Sequence, residues 1–478
     1  MRRTPALVLC AVLAACTPTP APLPQPAPET SYNGDYAVYE AGRSEPIADP
    51  VYPQHGNAGV DVLHYGLDLA WSPSEKKLTG TATIHLRAAK DLSELTLDFS
   101  GALKADSVTL DGVAKTGSPA DDNLTVPAQL KKDQRARLVI KYHGTPAVVT
   151  APTRRQDFST LGLRVTREGS LWTMQEPFGA FTWYPVNDHP SDKALYDIAI
   201  TVPEGWAGIA GGTPAGRDGQ TFRYKSADPM ASYLTTLAAG PYRQKTATGP
   251  HGLPLTYWYV PGRDDAMLST VEHSPRYLTW IESKFGPYPF PTAGVLIVPA
   301  TSAMETQQLV TMGLANRLEA ADHVYREGVL VHEFIHHWFG DTVTTNSWDS
   351  LWLNEGWTMF GQIMFENERD GVSWEQWEAR IRATDAKLRQ DFGPPGKPNA
   401  ADFGRSNMYI CPALMLNEIR KQLGDKAFFD MAKAWVTANK NTVQDRASFT
   451  AFVTKHTGRD FKPLIDTWLD SPVTPPAT

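Results

Sequence analysis

The hydrophobic period of this 478-residue chain changes once, between residues 245 and 265, and that change limits the folds open to it. Across residues 55–245 apolar side chains recur at every second position. In LTGTATIHLRA, Ala82, Ile84 and Leu86 alternate with Thr81, Thr83, His85 and Arg87, the pattern of a strand buried on one face. LSELTLDF, RARLVIKYHG and LYDIAITVP repeat it, separated by Gly, Pro and Asp turns. Past residue 265 the spacing becomes helical in HSPRYLTWIESKFG, EGVLVHEFIHHWFG, NMYICPALMLNEIRKQLG, DKAFFDMAKAWVTAN, RASFTAFVTKHTG and KPLIDTWLD. AGVLIVPA reads as a buried strand among them, and FGPPGKPNAADFG as an interrupting loop. The expectation is a multidomain chain: a mostly antiparallel β domain over 51–245, an α+β, mainly helical domain over 246–471, and a tail over 472–478.

Ahead of these domains the chain reads as an address. MRR is a short positive stretch, ALVLCAVLA a short apolar run, and LAAC closes it with small residues, so 1–16 is expected to be a signal peptide too short to span a bilayer. Leu13-Ala14-Ala15-Cys16 resembles a bacterial lipobox, which implies lipidation at Cys16 and a lipid-anchored protein of the cell envelope. Thr17, rather than aspartate, after that cysteine favours the outer membrane facing the periplasm. TPTPAPLPQPAPET places proline at every second position from 18 to 28, so 17–50 is expected to be an extended, semi-rigid spacer. With Cys10 removed and Cys16 acylated, Cys411 would stand alone and no internal disulfide could form. A net charge of -7 leaves no basic field for nucleic acid.

One motif carries chemistry. LVHEFIHHWFGDTVTTNSWDSLWLNEGW, residues 330–357, holds His332, Glu333, His336 and Glu355. Helical positions i and i+4 lie about 40° apart around the axis, so His332 and His336 project from one face. Two such imidazoles can reach one Zn²⁺, and a distant carboxylate completes three ligands with the fourth position open, the set of a catalytic zinc. With 12 His in 478 residues, H-E-x-x-H is expected by chance about 0.016 times, and less often still with Glu355 required. His337 lies about 100° away and reads as a packing or supporting residue. Zinc lowers the pKa of a bound water to about 7, and Glu333 beside it would take the proton and pass it to a leaving amine. That chemistry indicates peptide-bond hydrolysis.

With HEFIHHWFGD, LWLNEGW, SAMETQ (302–307), QEPFGAFTWYPVNDHPSDKA (175–194) and MYICPALML in order, the chain resembles the zinc aminopeptidases that include aminopeptidase N and the leukotriene hydrolase. The resemblance implies a saddle-like β domain followed by a thermolysin-like catalytic domain with one zinc. It implies His332, His336 and Glu355 as ligands, Glu333 as general base and Tyr409 as donor to the oxyanion. It implies Glu305, with Glu176, as the carboxylates that hold the free α-ammonium of a peptide substrate. The chain departs from the family at Ser302 and Thr306, and at Ile410, Cys411 and Pro412 after Tyr409, which places a proline near a helix's first turn. Larger members continue into a helical domain beyond the point where this sequence ends, so a more open cleft is expected here. Two other functions stay open at this point: an endopeptidase using that open cleft, and a noncatalytic surface binding protein that keeps zinc for structure.

Overall fold

A computed structural model describes residues 36–155, 159–313 and 321–477, with backbone alone for 321–325. The expected signal, Cys16 and the proline run lie outside the described residues. LSELTLDF, as Leu92–Asp98, belongs to a separate three-stranded sheet, while the other three alternating segments join an eight-stranded sheet whose centre is Val60–Ser72, Lys77–Ala88 and Arg135–Gly144. Its pairing is antiparallel except between Val60–Ser72 and Ala194–Thr201, which run parallel. Ile84 sits opposite Tyr65 on one side and Leu138 on the other, all buried, so the period of two places one continuous apolar face inward. A five-stranded sheet packs into the same core and contains Leu171–Met174, the strand that leads to Glu176.

The other face of Lys77–Ala88 departs from the alternation. His85 and Arg87, expected outward, are buried at 4% and 1% exposure. The cause is the preceding segment, which covers them: Tyr39 stacks on His85, and the Arg87 guanidinium donates to Ser44 O at 2.8 Å and Asp61 Oδ2 at 2.7 Å. The spacer expected to reach residue 50 therefore ends earlier. Residues from Tyr39 onward belong to one compact unit that runs to Thr478. Asp49 is buried and accepts from Val51, Tyr52 and Trp348 N–H groups, which ties it to the helical half.

The helical half begins with a four-stranded sheet, Arg243–Thr248, Pro254–Tyr259, Ala293–Val298 and Val310–Gly313. Its first strand crosses the junction expected at 245/246. Among the described residues the helices follow as α1 (Asp265–Val271), α2 (Ser274–Phe285), α3 (Ala321–His336), α4 (Trp352–Asp370), α5 (Trp374–Phe392), α6 (Asn407–Leu423), α7 (Asp425–Ala438), α8 (Arg446–Thr457) and α9 (Lys462–Asp470). None of them is long and apolar enough to cross a membrane. Local signals set several ends: a Ser373–Gln376 capping box opens α5, and Gly371 in the left-handed region closes α4. Helices α4 and α6 pack so closely that a Cβ on Gly356 would lie 2.7 Å from Pro412 Cβ. Pro412 is thus inside α6, in its second turn rather than its first. It packs there against the bare backbone of Gly356 and forgoes one helical hydrogen bond.

Candidate active site

Helix α3 divides its faces sharply. Leu330, Val331, Phe334 and Ile335 are fully buried in the core, while His332, Glu333 and His336 line a cleft of about 280 Å³. The helix stops after His336 because the chain turns back on itself. Gly340, at φ +143°, lets Asp341 N–H donate to His336 O at 2.9 Å. A side chain on Gly340 would lie 2.9 Å from His336 Nδ1. That turn also puts Phe339 O 3.1 Å from His336 Nδ1, so Nδ1 carries a proton and Nε2 is the nitrogen left to face the cleft.

Glu355 stands in the first turn of α4, where the helix dipole favours a carboxylate. The packing of α3 on α4 brings its Oε2 to 3.2 Å from His332 Nε2 and 3.3 Å from His336 Nε2, with the two imidazole nitrogens 3.1 Å apart. Tetrahedral coordination with bonds of 2.0–2.1 Å needs ligand atoms about 3.3–3.4 Å apart, so the donor set fits one Zn²⁺ with little adjustment. Burial works to raise the Glu355 carboxyl. Attraction to His336 and hydrogen bonds with His332 and His336 outweigh it, and hold the group well below the usual carboxylate range. Burial lowers His332. Burial would also lower His336, but Glu305, Glu355 and Glu333 around it drive it well above its ordinary value. Three carboxylates gathered on one imidazole form a site short of positive charge, which a divalent cation supplies.

The remaining expected residues line the same cleft: Glu176, Glu305, Glu333 and Tyr409. Glu305, Glu333 and His336 each place a donor atom within 4.8 Å of the others. Glu305 lies on a segment held edge-on by Met304, whose N–H and C=O pair with Thr311 at 2.8 and 2.9 Å. Glu176 is presented by Gln175, whose amide is locked to the Ser232 and Thr235 carbonyls at 3.1 and 2.9 Å. Burial, and then Glu305, push Glu176 well above the usual carboxylate range; burial also raises Glu305. The Tyr409 ring lies parallel to that of His332, 5.9 Å between centroids. His337 points elsewhere, its Nδ1 2.8 Å from Tyr288 OH, as its position on the helix implied.

The Peptidase family M1 domain matches residues 269–468, and the Peptidase M1 N-terminal domain matches residues 62–234. The chain belongs to the M1 peptidase family. It is similar to aminopeptidase N of Streptomyces lividans, 25% identical over 331 residues that cover 64% of this chain and 38% of that protein. It is likewise similar to aminopeptidase N of Acetobacter pasteurianus, 28% identical over 316 residues, 62% of this chain and 87% of that one. Among solved structures, a two-domain M1 zinc metallopeptidase mutant bound to L-arginine superposes with a TM-score of 0.78 at 26% identity, covering 90% of this chain and 99% of that chain. The M1 fold is therefore the one the resemblance implied, and its order, β-rich first and helical after, agrees with the change of period.

Several cleft residues of this M1 chain escaped sequence reasoning, Arg155 and Arg326 among them. Arg155, from the connection between the short strand Val149–Thr150 and Thr160–Val165, reaches Tyr409 OH at 3.0 Å. An arginine in a short polar loop has no period and no spacing to mark it. Met174, Met312, Met359 and Gln362 complete other walls, and nothing local distinguishes them from core residues either.

Proposed function

We propose that this chain is a zinc aminopeptidase that hydrolyses the first residue from peptides. One observation carries the reading. Glu305 Oε1 and Glu176 Oε1 are buried without a hydrogen-bond partner among the described residues, and both side chains line the cleft that holds the His–His–Glu set. Buried carboxylate oxygens left open beside a hydrolytic centre call for a cation with N–H donors, which the α-ammonium of a peptide provides. The arginine-bound M1 relative is in keeping with this, since a free amino acid is what an aminopeptidase releases.

The roles follow from placement. His332, His336 and Glu355 hold the metal. When bound, zinc supplies a Lewis acid that polarises the scissile carbonyl and makes water a nucleophile near neutral pH. Glu333 is raised well above the usual carboxylate range by burial, against the pull of His336 and with the help of Glu305 and Glu355. It is thereby suited to accept the water's proton and return it to the leaving amine. Tyr409 donates its O–H to the developing oxyanion. Glu305 and Glu176 grip the chain end and set the cut one residue in.

The substrate test compares an amino-acid p-nitroanilide with its N-acetylated form. The free amine is expected to be cleaved at least about 100-fold better, and Glu305→Gln to narrow that gap by about 10- to 100-fold, the worth of a charged hydrogen bond. Equal cleavage of both substrates by the native enzyme overturns the aminopeptidase reading.

The same proposal places the enzyme at the bacterial cell envelope, anchored through Cys16 and spaced from the membrane by the proline run. Partition of the full chain into detergent, lost in Cys16→Ser, is the expected result. Equal partition of both chains rejects the anchor.

A further inference from the structure

We infer that Arg155 is a positioning residue for Tyr409, delivered across the junction between the two halves to fix the direction of the phenolic proton. The inference rests on the reading of Tyr409 as oxyanion donor. A guanidinium has five donors and no acceptor, whereas a tyrosine hydroxyl has one proton and two lone pairs. At 3.0 Å, Arg155 Nη1 must donate and Tyr409 O must accept. The single O–H is then directed away from Arg155. Glu355 is among the groups that act on the Tyr409 hydroxyl, and the Tyr409 ring stacks on that of His332, so the phenol stands beside the His–His–Glu set. Without Arg155 the hydroxyl could rotate and spend its proton elsewhere.

The loop is built for this contact. Thr153 Oγ1 donates to Phe403 O at 2.7 Å, and Arg154 N–H donates to Ala401 O at 2.8 Å. Arg154 Nη2 contacts both Asp402 carboxylate oxygens at 2.6 and 2.7 Å, and Arg405 Nη1 returns to Arg154 O at 3.0 Å. Residues 153–155 are thus stitched to 401–405, the turn that starts the helix bearing Tyr409. Gly404, at φ +67°, leaves room for the guanidinium: a Cβ there would lie 2.7 Å from Arg155 Nη1. A cation polarising the phenol also strengthens it as a donor to developing negative charge.

Arg155→Met tests this, because it keeps an aliphatic stem over Gly404 and removes the donor. In zinc-loaded enzyme with an aminoacyl anilide, kcat is expected to fall about 10- to 100-fold while KM stays within about threefold, since burial and nearer charges outrank Arg155 at the amine-binding Glu176 and Glu305. Arg155→Lys is expected to recover part of kcat. In a Tyr409→Phe background, Arg155→Met should cost less than about threefold more, because two residues acting as one unit do not add. Affinity for a phosphinic pseudopeptide carrying a tetrahedral oxyanion should fall with kcat, while affinity for a free amino acid holds. Losses that multiply in the double variant overturn the inference. So does a rise in KM confined to peptides with a free C-terminal carboxylate, for Arg155 would then be binding substrate. Full kcat in Tyr409→Phe alone would instead remove Tyr409 from the mechanism, a separate failure.

Discussion

The β half and the cleft both bury charged side chains, but they close their polar networks differently. In the β half Asp61 accepts from Ser44 N–H and Arg87, and Asn187 is satisfied by Val60 O and Asp192. His189 sits between Ser191 and Asp49. Each of these groups answers another in the fold, so this network serves structure and needs nothing from outside. In the cleft, Glu305 and Glu176 keep open oxygens and three donors crowd within 3.3 Å without a proton inventory that suits them all. A buried polar cluster that cannot satisfy itself costs stability, and it persists where a ligand completes it.

The contrast can be broken most forcefully at Glu333. If the open cluster serves catalysis alone, Glu333→Gln removes the proton carrier and leaves shape, fold and metal. Turnover is expected to fall by about 10² to 10⁴, the usual worth of a general base. Metal content by atomic emission and the thermal midpoint should stay near native, or rise slightly as a buried charge is lost. Loss of fold together with activity would show that the cleft is a structural network like the other, and unchanged turnover would take Glu333 out of the chemistry.

The same contrast explains what could be read in advance. His332, Glu333 and His336 share one helix, so their geometry is already a spacing, and Glu355 lies one helical hairpin away. Tyr409, Glu305 and Glu176 could be placed only through family resemblance, because each reaches the cleft from a different element. Arg155 needed tertiary structure altogether: it meets Tyr409 across 254 residues, and neither side of that contact has a local pattern. In the β half the period of two was legible at Ala82, Ile84 and Leu86. It misled at His85 and Arg87, since alternation says which residues share a face and not whether something else will cover it. The covering segment, from Tyr39 to Asp49, carries no period and so read as spacer.

That covered histidine offers the finer test, where the expected effect is smaller and falls on stability. Burial under Tyr39, and then the neighbouring charges of His64 and Arg137, hold His85 down to about 3. An unfolded chain would bind a proton there below about pH 6.5, and the folded chain would not. The folded form is therefore at full advantage above pH 6.5 and loses ground as pH falls from 6.5 toward 3, by at most about 1.4 kcal/mol per pH unit. His85→Phe keeps an aromatic ring beneath Tyr39 and removes the titration. Denaturant melts between pH 7 and 4 are expected to show a shallower acid slope for the variant, by up to about one proton, with turnover at pH 7 unchanged. The lowered carboxyl of Asp49 weakens the fold in acid too, but His85→Phe leaves its partners His189, Trp348 and Tyr52 in place, so its share cancels in the comparison. Identical slopes would mean that the histidine takes up its proton in the folded state, and that the segment over it opens more readily than its packing implies.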